Sequence, residues 1–174
     1  MQDIIKGSVV TLRPITLEDT DLICRWRNTP FVRNNFIFQE TFTHEMHENW
    51  MKTKVASGEA VQFIILDNAT GEPIGSVYLR DVDYKHNNAE IGIFIGEENH
   101  SRGAGSESLR MMADYGIEVL KLHRLMARII DTNKASIRAT EKAGFHVEGV
   151  FKDMVRLQGE YANVVFLARM NPDN

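Results

Sequence analysis

Hydrophobic positions along the chain change period several times, and each change marks an element. Residues 9–13 read as a first strand, ended by Pro14, which cannot donate to a ladder. Thr16 followed by Asp19 reads as a helix start, and Leu22, Ile23 and Trp26 then recur at helical spacing. A second helix is predicted after Thr43, carrying Met46, Trp50 and Val55 on one side and stopped by Gly58. Residues 60–67, 74–82 and 89–95 then read as strands of an antiparallel meander, separated by a turn at 68–71 and a polar loop at 84–88. From Gly105 onward Leu109, Met112, Ala113, Gly116, Ile117 and Leu120 form the most regular apolar stripe in the chain. A strand at 125–130, a helix at 135–143 closed by Gly144, and extended runs at 145–157 and 161–170 around Gln158-Gly159 complete the pattern. Hairpins interrupted by crossover helices predict an α/β fold with a mixed, mostly antiparallel central sheet flanked by helices.

No repeat, low-complexity tract or Pro/Gly/Ser linker divides the 174 residues, which predicts a single domain over residues 1–174. Hydrophobic residues at 43% and charged residues at 25% are ordinary for a globular chain. A net charge of −4 gives no general attraction to nucleic acid, so no nucleic-acid partner is expected. No run approaches the ~18 apolar residues that span a bilayer, and the start lacks the pattern of a signal peptide. The expectation is therefore a cytoplasmic protein without a membrane partner. The single cysteine, Cys24, falls among Leu22, Ile23 and Trp26 and reads as a small buried hydrophobe. His44, Glu45, His47 and Glu48 resemble metal spacing but lack the HExxH pattern, so they read as a solvated or substrate-facing helix side and no metal is expected.

The stretch with chemical content runs from Ile91 to Ser106. An apolar strand enters a glycine-containing turn with Arg102, Gly103 and Gly105, and the turn opens the strongest helix. The first turn of a helix leaves backbone N–H groups unpaired, and the macrodipole places partial positive charge there. Glycines admit a phosphate close to the backbone and Arg102 adds a formal charge, which is the physics of a pyrophosphate cradle. A plain glycine-rich turn is the competing reading. A dinucleotide fingerprint with Asp131 as ribose acid fits less well, because Ser108 replaces the third glycine and the strand closes a meander. A mononucleotide P-loop is excluded by the absence of GxxxxGK[ST].

Arg102-Gly103-Ala104-Gly105, then Asp131-Thr132-Asn133-Lys134-Ala135-Ser136-Ile137, then Glu141-Lys142-Ala143-Gly144-Phe145, resemble the GCN5-related N-acetyltransferase superfamily. Leu12-Arg13-Pro14, Trp26-Arg27-Asn28, Ala89-Glu90-Ile91-Gly92 and Gly159-Glu160-Tyr161 are similar to its branch of ribosomal-protein, spermidine and aminosugar-nucleotide acetyltransferases. The resemblance implies acetyl-CoA as co-substrate and direct transfer to the amine of a small molecule, with a homodimer allowed. It implies that Ile93, Phe94 and Ile95 run beside the pantetheine arm. It places the pyrophosphate on Arg102, Gly103, Ala104, Gly105 and Ser106, with His100 where many members have glutamine or arginine. Asn133 and Ser136 would meet the pantetheine arm, and Lys134 and Arg138 the nucleotide phosphates. Glu90 is the candidate base, acting through water. The proton donor to the leaving thiolate is open between Ser136, Thr140 (where many relatives have tyrosine) and water. Trp26, Arg27, Asn28 and Arg33 would shape the acceptor pocket, and they point toward an aminosugar nucleotide. A polyamine, a ribosomal-protein N-terminus, and a non-catalytic acyl-CoA-binding sensor are the alternatives.

Overall fold

A computed structural model describes residues 3–96 and 102–173. Its strands are β1 (Ile5–Lys6), β2 (Val10–Pro14), β3 (Val61–Asp67), β4 (Pro73–Asp83), β5 (Asn88–Ile95), β6 (Arg124–Ile130), β7 (His146–Leu157) and β8 (Glu160–Met170). The helices are α1 (Thr20–Asn28), α2 (Pro30–Arg33), α3 (His44–Trp50), α4 (Ala104–Asp114) and α5 (Lys134–Lys142). Helices α3 and α4 each run on into a π-helical segment, Met51–Val55 and Tyr115–Val119. The predicted order stands, with two short additions that the pattern did not predict, β1 and α2. Pro30 begins α2, and the Thr29 hydroxyl caps it by accepting from the Val32 N–H at 3.3 Å.

The eight strands form one sheet in the order β1-β2-β3-β4-β5-β6-β8-β7. All its pairs are antiparallel except β5 with β6. Alternation along the strands separates two faces. Phe63, Val77, Leu79, Ala89, Ile91 and Leu125 point to one face and pack with Leu109 and Met112 of α4 and with Phe145. Ile64 and Phe94 point to the other and pack with Ile23, Trp26 and Val32 of α1 and α2. Each fully buried aliphatic or phenyl side chain contributes about 1.5–3 kcal/mol. Both layers are therefore anchored by their apolar faces, and Cys24 is buried in α1 as expected.

The parallel ladder is short. It joins Asn88, Ala89 and Glu90 to Arg124, Leu125 and Met126 and goes no further. Beyond it β5 stays paired with β4 out to Ile95, and β6 stays paired with β8 out to Ile130. The two central strands thus diverge while each remains fixed to its outer neighbour.

Candidate active site

Divergence leaves the facing backbone edges of residues 91–95 and 127–130 without a ladder partner in the sheet. Unpaired backbone groups near the middle of a sheet must find water or a ligand. Here they open on a cleft of about 970 Å³ that receives residues from both layers. Gly105 and Leu109 of α4 and Ser136 and Ala139 of α5 line it from one side, and Arg27, Val32, His47 and Trp50 from the other. Ile93, Phe94 and Ile95 all line it, as does Asn133.

The turn before α4 has the geometry that its glycines imply. Gly103 is the N-cap with φ +89°, a conformation that a β-carbon would strain. Ala104 is buried at the first helical position, Gly105 reaches the cleft, and the Ser106 hydroxyl donates to the Gly103 carbonyl at 3.1 Å. Arg102 is exposed beside the helix start, and His100 lies outside the described residues. Asn133 caps α5, its Oδ1 accepting from the Ser136 N–H at 3.2 Å. Lys134 and Arg138 are exposed and do not line the cleft, and the Arg138 Nε donates to the Lys134 carbonyl at 3.3 Å.

At the fork between the strands stands Glu90. Its Oε1 accepts from Arg80 Nη2 at 2.7 Å, and its Oε2 accepts from Arg128 Nη2 at 2.7 Å and Nε at 3.0 Å. A carboxylate offers about four lone-pair sites, so one remains, on Oε1. A β-bulge between Arg80 and Asp83 bends β4 next to this cluster. Thr140, by contrast, is not built to give up a proton to the cleft. It is 1% exposed and its hydroxyl donates to the Ser136 carbonyl at 2.8 Å, one turn back along α5. The Ser136 hydroxyl makes no hydrogen bond among the described residues and stays available.

Three of the four residues expected around the acceptor do other work. Trp26 is 1% exposed and meets the Phe94 ring edge-on at 6.1 Å, so it is core. Asn28 spends its amide on the Cys24 and Phe42 carbonyls and on the Phe42 N–H, which pins the segment after α2 to α1. Arg33 lines a separate surface recess with Phe38, Arg156 and Gln158. Only Arg27 among the four reaches the cleft. Its guanidinium lies 3.5 Å over the Phe36 ring and 5.0 Å from that of Phe42. Burial, opposed by Tyr78 and reinforced by Arg80, holds it below the ordinary arginine range.

Several residues in the cleft were not singled out from the sequence. Tyr78 stands directly opposite Gly92 in the β4–β5 ladder, and a β-carbon on Gly92 would come within 2.4 Å of the phenol oxygen. Glycine there lets the tyrosine lie across the wall of the fork. Burial pushes the phenol's pKa up, so it stays protonated through the neutral range, and its hydroxyl makes no hydrogen bond among the described residues. Period-two counting carried the available signal: Tyr78 and Arg80, Glu90 and Gly92, and Arg128 share one face of three strands, and polar residues there oppose the apolar trend. His47 was expected on a solvated or substrate-facing side and is instead 1% exposed, though it borders the cleft. The Thr20 hydroxyl donates to the Leu17 carbonyl at 2.8 Å, so it accepts from His47 Nδ1 at 2.9 Å. Burial keeps this ring neutral, leaving a bare Nε2 without a partner among the described residues. His44 turns away to Asp21 at 2.6 Å.

Residues 10–146 match the family described as the acetyltransferase (GNAT) domain. The chain belongs to this family. It is an acyltransferase, and acetyl-CoA is its co-substrate. Among relatives, it is 29% identical over 159 residues to the uncharacterized N-acetyltransferase p20 of Bacillus licheniformis, covering 89% of each chain. It is 26% identical over 156 residues to the spermidine N(1)-acetyltransferase of Escherichia coli, covering 90% of this chain and 83% of that protein. Its fold matches the crystal structure of spermidine N-acetyltransferase from Vibrio cholerae in complex with CoA and spermine, with a TM-score of 0.84 at 23% identity over 95% and 97% of the chains. No described helix is long and apolar enough to cross a membrane.

Proposed function

We propose that this acetyltransferase moves the acetyl group of acetyl-CoA directly to the primary amine of a small acceptor, with both held in one cleft. The observation that carries the reading is the fork between β5 and β6, whose unpaired edges open into a cleft reached from both layers. The thioester arm lies along residues 91–95, where free backbone N–H groups meet the oxyanion. The phosphates lie at the start of α4, on the turn at Arg102, Gly103 and Ser106. Glu90 orders a water on its remaining Oε1 lone pair, and through that water its carboxylate takes one proton from the ammonium, which leaves the free amine to attack. The amine nitrogen bonds to the carbonyl carbon, the C–S bond breaks, the Tyr78 phenol protonates the departing thiolate, and the phenolate regains a proton from the nitrogen as the neutral amide forms. Tyr78 replaces Thr140 in this role because its hydroxyl has no hydrogen-bond partner among the described residues and Thr140's is committed.

Release of CoA thiol from acetyl-CoA, measured against a panel of amines, tests the reading; absence of turnover with tight acetyl-CoA binding would instead support a sensor. Relatives that carry spermidine in their names place polyamines on that panel. The aminosugar nucleotide loses its footing, because Trp26, Asn28 and Arg33 do not face the cleft and none of the relatives named above acts on one by name. A homodimer finds support in β7, an edge strand with Val147, Val150, Phe151 and Met154 exposed, and sedimentation measures it.

A further inference from the structure

Resting on the transferase reading, we infer that the acceptor is a small primary amine that also carries a carboxylate or phosphate, and that Arg27 binds this anion. Most of the positive charge in the cleft is already paired. Lys54 is neutralised by Glu59 at 2.5 Å. Arg80 and Arg128 share Glu90, with exposed Asp81 3.9 Å from Arg80. Arg27 alone of the cleft arginines has no ion pair and no hydrogen bond among the described residues, and its Nε is buried without a partner. Arg27 is half-buried: its Nε is out of reach of water while the rest of the guanidinium borders the cleft, and stacking on Phe36 recovers only part of the cost of that desolvation. Such a group is poised for a ligand that brings the missing charge.

The same count argues against a polyamine. A molecule with several ammonium groups needs several carboxylates. Glu90 is the one acid among the described lining residues, and both its oxygens are already held by guanidinium groups. Arg27 would repel the distal ammonium. The site is also close to the reacting centre: Arg27, Arg80 and Tyr78 line the same cleft, and Tyr78 lies over Gly92 of the fork. A short molecule can place its anion on the Arg27 fork, whose geometry suits carboxylate and phosphate, while its amine reaches the thioester. Aromatic rings of Phe36 and Phe42 hold the guanidinium plane in place and limit its loss of side-chain freedom on binding.

Matched pairs of acceptors read this directly. L-amino acids are compared with their amides, and O-phosphoethanolamine with ethanolamine, alongside spermidine, in the thiol-release assay. The expected result is a kcat/KM at least about ten-fold higher for the anionic member of one pair, the scale of a charged hydrogen bond. The arms also tell carboxylate from phosphate. In Arg27→Gln that ratio should collapse toward one, chiefly through KM, while Arg27→Lys keeps part of it; thermal melts verify that both variants fold. Preference for spermidine or for the neutral members, turnover of no anionic amine by a protein that binds acetyl-CoA, or a ratio unchanged in Arg27→Gln would each overturn the assignment. Failure to bind acetyl-CoA at all would overturn the transferase reading beneath it.

Discussion

A carboxylate between two guanidinium groups has two ways to matter, and Glu90 allows them to be separated. Glu90→Gln preserves shape but removes charge and basicity, and it loosens Arg80 and Arg128. Turnover should fall roughly 10²-fold while acetyl-CoA binding persists. If the residue serves proton removal, the deficit shrinks as pH rises, because more acceptor then arrives deprotonated. A deficit equal at every pH would assign Glu90 to holding the arginines alone. Tyr78→Phe tests the opposite end of the reaction. It keeps the ring over Gly92 and deletes the hydroxyl, so kcat should drop by roughly 10²-fold with little change in the KM for acetyl-CoA. Wild-type kcat in that variant would remove the phenol from the mechanism and return the role to Ser136 or water.

At the scale of elements, the position of α4 decides whether its first turn can serve the cleft. Glu107, one turn into α4, accepts from the Ser8, Val9 and Val10 N–H groups at 3.1, 2.7 and 2.8 Å and from the Ser8 hydroxyl. It thereby ties the helix to the start of β2. Burial works against its charge, but these donors outweigh it and hold the carboxyl below its ordinary value. A depressed carboxyl pKa stabilises the fold above the unfolded value and loses that contribution as pH falls through the folded one. Glu107→Gln should therefore lower the Tm at neutral pH by roughly 4–8 °C. The gap between variant and wild type should begin to narrow below about pH 4 and close as pH falls through the depressed folded value. A pH-independent gap in calorimetric melts would show that the loss comes from packing.

For the molecule as a whole, ligand linkage distinguishes the fork from a dinucleotide site. The strand before the turn closes an antiparallel meander, and β5–α4–β6 is a lone parallel unit with a ladder of three residues, unlike the mostly parallel sheet that holds NAD at its switch point. Acetyl-CoA at about a hundred-fold excess over its Kd should raise the Tm by roughly 5–10 °C, and NAD and NADP should leave it unchanged. Larger stabilisation by either dinucleotide would contradict the cofactor assignment.

Much of this protein was legible along the chain. Strand and helix periods, the helix start after Thr43, and the glycine turn before α4 are local, and each depends on residues a few positions apart. The fold class followed from them, and the phosphate turn and pantetheine strand are what the family resemblance of the same motifs implies. The acceptor half did not. Trp26, Arg27 and Asn28 are consecutive in sequence, yet α1 turns the first into the core, the second into the cleft and the third onto Phe42. Helical rotation of about 100° per residue makes the outcome depend on what packs against each face. The Arg80–Glu90–Arg128 cluster joins three strands, and its existence required the sheet order and register. Thr140 looked like a shortened tyrosine in a linear comparison, but only the packed helix shows its proton spent on Ser136. Sequence alone determined the elements, because backbone propensity and hydrophobic period are short-range. Tertiary structure decided the chemistry of the acceptor site, because charge pairing and burial arise between residues that only folding brings together.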